Sequence, residues 1–247
     1  LKAFRDRVNG GESPACAKLT DNINLEGEVW TPITNLIGYL DGDGHTISNL
    51  TIKGGSYTNT GLIGELNGSV INLNLNNVNI EGKFNSYDNV GSLVGKIEVG
   101  SESKIDNCAV SGEITSTGDK ATYVGGLVGY VTGAYQVYTT LTINNCVSNV
   151  TLSGGSSNFV GGLVGSAQSN SKLSITKCAQ LADFRTNKGL GAGIVGYANG
   201  STVDIANSYL AGKVSASSYP GVIAYSGKRG SATISLSGDF YYNEANS

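Results

Sequence analysis

The sequence predicts an all-β fold: a right-handed parallel β-helix, a solenoid of stacked coils, with a short capping helix at its N-terminus. Three observations carry the prediction. First, a Gly-rich core recurs at Gly61-Leu62-Ile63-Gly64, Ser92-Leu93-Val94-Gly95, Gly126-Leu127-Val128-Gly129, Gly162-Leu163-Val164-Gly165 and Gly193-Ile194-Val195-Gly196, and in degraded form at Gly221-Val222-Ile223-Ala224. The fourth positions are 31, 34, 36, 31 and 28 residues apart, a spacing that marks a repeat architecture. Second, the segments between cores have strand length, and helical periodicity is missing after residue 10. Third, Gly and Asn punctuate the segment ends, as corners require. A β-sandwich, the alternative all-β fold, predicts irregular spacing and antiparallel hairpins rather than columns of equivalent residues.

The elements follow in order. Leu1, Phe4 and Val8 share a helical face and Asn9-Gly10-Gly11 supplies a stop, so residues 1–8 are expected to form a helix that covers the first rung. Cys16 to Leu25 reads as extended, with Cys16 buried near the cap. Trp30, the one Trp, reads as a core plug beneath the helix. Asp41-Gly42-Asp43-Gly44-His45 is a turn, and Ile47, Leu50 and Ile52 mark the strand after it. Residues 1–60 thus form the cap and a lead-in coil, and 61–247 a single continuous solenoid of repeats.

Each repeat is expected to hold up to three short strands: the core itself, a segment such as Lys104 to Val110, and a short strand such as Glu113-Ile114. Loops of variable length, such as Ser116 to Thr122, account for the uneven period. Six or seven coils at the strand spacing make a rod about 30 Å long. Within the cores, Leu62, Leu93, Leu127, Leu163, Ile194 and Val222 form one column; Ile63, Val94, Val128, Val164, Val195 and Ile223 form the next. Adjacent strand residues point to opposite faces, so one column is expected inside and the other outside, covered by the loops. A bulge at the glycines is the arrangement that turns both inward.

Composition narrows function. With 16 basic and 19 acidic residues the net charge is −3, which offers no clustered Lys and Arg for nucleic acid or an anionic membrane. No run is apolar enough to insert in a membrane. The chain opens on Leu1 and contains no Met, so it is expected to be a processed form or an excised fragment.

The cores, the Asn-Cys pair that follows them, the opening Leu1-Lys2-Ala3-Phe4-Arg5-Asp6-Arg7-Val8-Asn9-Gly10-Gly11, and the segment from Lys18 through Trp30-Thr31-Pro32-Ile33 to Leu50 together resemble the GLUG-repeat family. The resemblance covers nearly the whole chain. It implies a bacterial secreted or surface-attached protein, often large and adhesin-like. Similar repeats accompany immunoglobulin A peptidases, but no protease motif is matched here. The last core, ending Ile223-Ala224, and Ser208 in place of Cys depart from the family pattern.

Candidate chemistry is sparse. Cys108, Cys146 and Cys178 fall one per repeat in a single column, continued by Ser208, which suits a buried ladder and not a tetrahedral metal site or disulfides. On this reading Cys108→Ser buries a hydroxyl with no assured partner and costs about 1–3 kcal/mol. Asn107, Asn145 and Asn207 precede that column and are expected to form a hydrogen-bonded ladder, which Lys177 interrupts. Asp41 and Asp43 lack the further oxygens of a calcium loop. His45 is the sole His and has no nucleophile at a recognisable motif. No metal, no cofactor and no enzymatic activity are therefore expected.

Tyrosine is the remaining signal. Tyr130, Tyr197 and Tyr225 share the position directly after the core, where Glu65, Lys96 and Ser166 stand in other coils; Tyr135 and Tyr138 lie in a loop. Outward rings on a rigid polar rod suit a glycan or a host or extracellular-matrix protein as partner, with half-buried packing as the plain alternative. The expected function is an extracellular or bacterial cell-surface adhesin-like binding module. A stalk segment, or a carbohydrate-active β-helix enzyme with convergent carboxylates, are the competing readings.

Overall fold

In a parallel solenoid each strand residue meets its partner one coil away, and the register here follows that rule. Ile33, Ile63, Val94, Val128, Val164, Val195 and Ala224 pair in series, seven rungs enclosing six turns. The computed structural model describes the backbone at residues 1–118, 120, 122–155, 158–221, 224–226, 232–238 and 241–242. Side chains are described at the same positions except 186–190, 216–221, 224–226 and 241–242. Val222 and Ile223, the last members of the two apolar columns, lie outside the described residues. The pairing of Ala224 with Val195 replaces the expected Ile223, a slip of one residue in the degraded core.

One coil shows the plan. Asn89–Gly91 leads into a corner; Val94–Ile97, Glu102–Asp106 and Ala109–Ser116 follow, and Tyr123–Gly125 begins the next corner. The Gly-rich core is therefore not one strand but two, with a bend at Ser92-Leu93. That bend corrects the expectation of an outward apolar column. Leu93, Leu127 and Leu163 lie on the bend, Val94, Val128 and Val164 begin the next strand, and all six are fully buried in one core cluster.

Glycine is required at both ends of the bend because two backbones touch there. A Cβ on Gly129 would lie 2.4 Å from the Val90 amide nitrogen and 2.6 Å from the Gly95 carbonyl oxygen. A Cβ on Gly125 would lie 2.0 Å from the Val128 oxygen and 2.6 Å from the amide nitrogen of Gly165 in the next coil. The same reciprocal contact joins Gly91 to Gly129 and Gly161 to Gly196.

The opposite corner is built from asparagine. Asn72, Asn107, Asn145 and Asn207 take left-handed φ of 49–53°, which Asn tolerates through its short polar side chain. Their side chains form a ladder: Asn107 Nδ2 donates to Asn72 Oδ1 at 2.9 Å and Asn145 Nδ2 to Asn107 Oδ1 at 3.1 Å. Lys177 keeps the left-handed φ (55°) and the inter-coil amide bond, to the Ala206 oxygen at 3.1 Å, while its side chain is exposed.

Immediately after Asn107, Asn145 and Lys177, the residues Cys108, Cys146 and Cys178 turn inward and are buried. Each thiol donates to the carbonyl two residues back, at 3.1–3.3 Å. Ser208 continues the column, its hydroxyl donating to the Ala206 oxygen at 2.9 Å and accepting the Cys178 amide at 3.3 Å. A hydroxyl thus finds a ready partner in this column, which corrects the expected cost of Cys108→Ser. All four cysteines are free. Cys16 is exposed rather than buried, because Ala15 takes the inward position in the strand Ala15–Lys18 and alternation sends its neighbour out.

The cap forms where expected, over Lys2–Asn9, with Phe4 and Val8 buried. Arg5 lies over the Trp30 ring, 4.7 Å from its centroid, and Trp30 Nε1 donates to the Leu62 oxygen at 3.0 Å. Asn9 fastens the helix end, accepting the Thr34 amide at 2.8 Å and donating to the Pro32 oxygen at 3.0 Å.

Gly129→Ala is expected to destabilise by at least ~3 kcal/mol, since the clash is with backbone on two sides; urea unfolding of the variant measures this. For the thiols, a soluble aromatic disulfide reagent is expected to react with one thiol per folded chain, Cys16, and with four after denaturation, and Cys108→Ser is expected to stay within ~1 kcal/mol of wild type.

Candidate functional site

The row after the core runs Glu65, Lys96, Tyr130, Ser166, Tyr197 in register. Glu65 and Lys96 form an ion pair at 2.7 Å with both side chains largely covered. The adjoining row, just before the core, runs Asn59, Asn89, Tyr123, Phe159. The glycine contact draws these two rows together, and their rings interleave. Tyr123 stacks on Tyr130 with centroids 4.5 Å apart and planes 7° from parallel; Phe159 lies 5.3 Å from Tyr123 and 4.9 Å from Tyr197. Burial pushes the Tyr123 and Tyr130 phenols up from their ordinary value.

Tyr130 and Tyr197, two of the expected ligand-binding residues, are therefore the half-buried ends of a packed ladder, Tyr130 against Tyr123 and Tyr197 against Phe159. Tyr225 lies in the strand Ala224–Ser226, and its side chain falls outside the described residues. Tyr123 was not singled out by sequence reasoning. The available signal was its equivalence to Phe159, each three residues before the first glycine of a core.

Tyr135 and Tyr138 are placed quite differently. The chain leaves the strand Val128–Thr132, turns through a two-residue hairpin and returns at Thr139–Asn144. Ala134 and Val137 exchange amide–carbonyl bonds of 2.9 and 3.0 Å across Tyr135-Gln136, and Gln136 takes φ 59°. Tyr135, at the tip, is 87% exposed and Tyr138 is 61% exposed. Lys172 of the next coil holds its ammonium 5.3 Å from the centroid of the Tyr138 ring.

The hairpin is tied to the coils on both sides. The Gly133 amide donates to the Ser169 oxygen at 2.6 Å, and Asn170 Nδ2 donates to the Ala134 oxygen at 2.7 Å. Buried Thr139 donates to the Thr132 oxygen at 2.8 Å and accepts the Gly100 amide at 2.9 Å. Between the hairpin and the following coils lies an open cleft of about 520 Å³, walled by Thr132, Gly133, Ala134 and Tyr135 on one side and Ser169, Asn170 and Gly200 on the other. Chemically the site is an exposed aromatic plate beside a floor of amides, carbonyls and small polar side chains.

The remaining candidates resolve as turns. The Asp43 amide donates to Asp41 Oδ1 at 2.9 Å, Asn72 Nδ2 donates to the same oxygen at 3.1 Å, and Lys18 pairs with Asp43 at 2.9 Å. These bonds hold the Asp41 carboxyl below its ordinary range. His45 closes the turn, its amide donating to the Gly42 oxygen at 2.8 Å. Among the described residues no group of three His, Cys, Asp or Glu is arranged to hold a metal ion, and no helix is long and apolar enough to cross a membrane.

No family model matches the chain. Over 124 residues, 47% of this chain, the sequence is 36% identical to halomucin of Haloquadratum walsbyi; the match spans about 1% of that protein's length. Among solved structures, a protein of Bacteroides ovatus described as a putative immunoglobulin A1 protease superposes with a TM-score of 0.69 over 97% of this chain and 81% of that one, at 19% identity. At that identity the likeness establishes the fold. It also corrects the expectation that the chain is not an enzyme: the same solenoid is carried by a protein assigned to a protease class, so a missing sequence motif does not exclude catalysis.

The two tyrosine environments differ in what they contribute to folding. Tyr123→Ala is expected to cost ~3–5 kcal/mol, and Tyr135→Ala less than ~0.5 kcal/mol, in urea unfolding.

Proposed function

We propose that this chain is an extracellular, adhesin-like recognition module in which the solenoid presents the Tyr135 hairpin and its cleft to a glycan. The observation that carries the reading is the exposure of Tyr135, 87%, on a hairpin whose backbone is bonded to its neighbouring coil. An aromatic ring held in water in this way contributes little to folding, and the backbone that carries it is already bonded in place when a ligand arrives. Aromatic rings stack on the apolar faces of sugars, and the Ser169 and Asn170 side of the cleft supplies hydrogen-bonding groups for ligand hydroxyls. A host or extracellular-matrix protein is the second partner class. A single projecting ring beside a polar cleft suits a saccharide better than the broad apolar core of a protein interface.

The likeness to halomucin and to the Bacteroides ovatus protein supports an extracellular setting. Attachment to a bacterial surface and membership of the GLUG-repeat family belong to the same proposal, supported by the repeated cores and the Asn-Cys corners.

Binding of the purified chain to an array of glycans and matrix proteins tests the reading. Saturable binding to at least one saccharide is expected, weakened about tenfold or more by Tyr135→Ala with Tyr138→Ala, at an unchanged melting temperature. Full-strength binding by that double variant would remove the hairpin from the site.

A further inference from the structure

Charge is not evenly distributed along the chain. Residues 1–119 carry 15 Asp and Glu against eight Lys and Arg; residues 120–247 carry four against eight. In a solenoid, sequence position is axial position, so among the described residues the near-neutral total conceals an acidic first half and a basic second half. The ion pairs follow the same division. The seven described salt bridges all lie between Lys2 and Asp106. Lys172, Lys177, Arg185 and Lys213 are exposed, and none pairs with a carboxylate among the described residues.

Two of these cations line one cleft. Leu152 and Phe184 point inward and are buried, so alternation sends Thr151, Ser153, Asp183 and Arg185 outward. Ser153, Arg185 and Ser215 stand in register on three successive coils, and Lys213 lies one rung beyond Asp183. Together they line an open cleft of about 290 Å³. Its one carboxylate, Asp183, accepts the Lys213 backbone amide at 2.7 Å, and the Lys213 and Arg185 side chains are exposed.

We propose that this cleft binds an acidic polysaccharide, with a carboxylate or sulfate group seated between Arg185 and Lys213 and sugar hydroxyls on Ser153 and Ser215. The guanidinium fork matches a planar or tetrahedral oxyanion, and Lys213 adds a second charge one coil away. The surrounding basic coils raise the local concentration of a polyanion. Nucleic acid fits less well, because the single ring in the cleft, Phe184, is buried and offers no face for a base. The site is separate from the Tyr135 hairpin, so either one stands if the other fails.

The test is titration of the purified chain with polygalacturonate and dextran sulfate, with neutral dextran and single-stranded DNA alongside. Saturable binding to at least one of the two acidic polymers is expected, with none to dextran and with weakening as salt rises from ~50 to ~500 mM. Arg185→Gln with Lys213→Gln is expected to lower affinity about tenfold or more at unchanged melting temperature, while Tyr135→Ala leaves it unaltered. No binding to either acidic polymer, an equal loss from Lys172→Gln alone, or binding to DNA as tight as to the polysaccharides would overturn the proposal.

Discussion

The reciprocal glycine contact sets the cross-section of the solenoid. Where Gly125 of one coil meets Gly165 of the next, and Gly161 meets Gly196, the strands before and after the bend approach to a distance that no Cβ survives. This contact does two things at once. It lets both the Leu and the Val of each core face inward, adding a second buried apolar residue at each bend, and it brings the outward rows on either side of the bend side by side. The first effect gives the core; the second gives the aromatic ladder of Tyr130, Tyr123, Phe159 and Tyr197.

The asparagine corner does complementary work at the far side of the coil. A left-handed residue is needed there in each turn, and a Cβ-bearing residue pays for it with a local hydrogen bond. Asn supplies that bond along the ladder, and the inward thiol or hydroxyl that follows satisfies the carbonyl two residues back. Lys177 shows which part is indispensable: the φ and the inter-coil amide bond persist when the side-chain ladder is broken. The corner is therefore held by stacked backbone, with the side chains as reinforcement.

Variation is consequently confined to places where the coil has spare chain. The hairpin at Tyr135-Gln136 is an insertion between two strands of the stack, and its amides and carbonyls are met by Ser169, Asn170 and each other, so it projects without loosening the rung beneath. The basic cleft uses a different freedom, the outward positions of a strand whose inward positions are already filled by Leu152 and Phe184. Rigid coils and permissive surfaces coexist because alternation separates the two duties.

How far the sequence determined this protein follows from the range of the interactions involved. Period, coil count, cap helix, asparagine corner and cysteine column are stated by residues that repeat or that act on close neighbours, and all were legible in the chain as written. Tyr135 and Tyr138 could be named as loop aromatics for the same reason. What tertiary structure alone decided are the matters that depend on which backbones touch: the inward turn of both apolar columns, the packing of Tyr130 on Tyr123 and of Tyr197 on Phe159, and the cleft lined by Arg185 and Lys213. Cys16 is outward because Ala15 happens to take the inward place in its strand. A linear pattern records that residues are equivalent, but the face each presents is set by the corner geometry, and that geometry exists only once neighbouring coils are in contact.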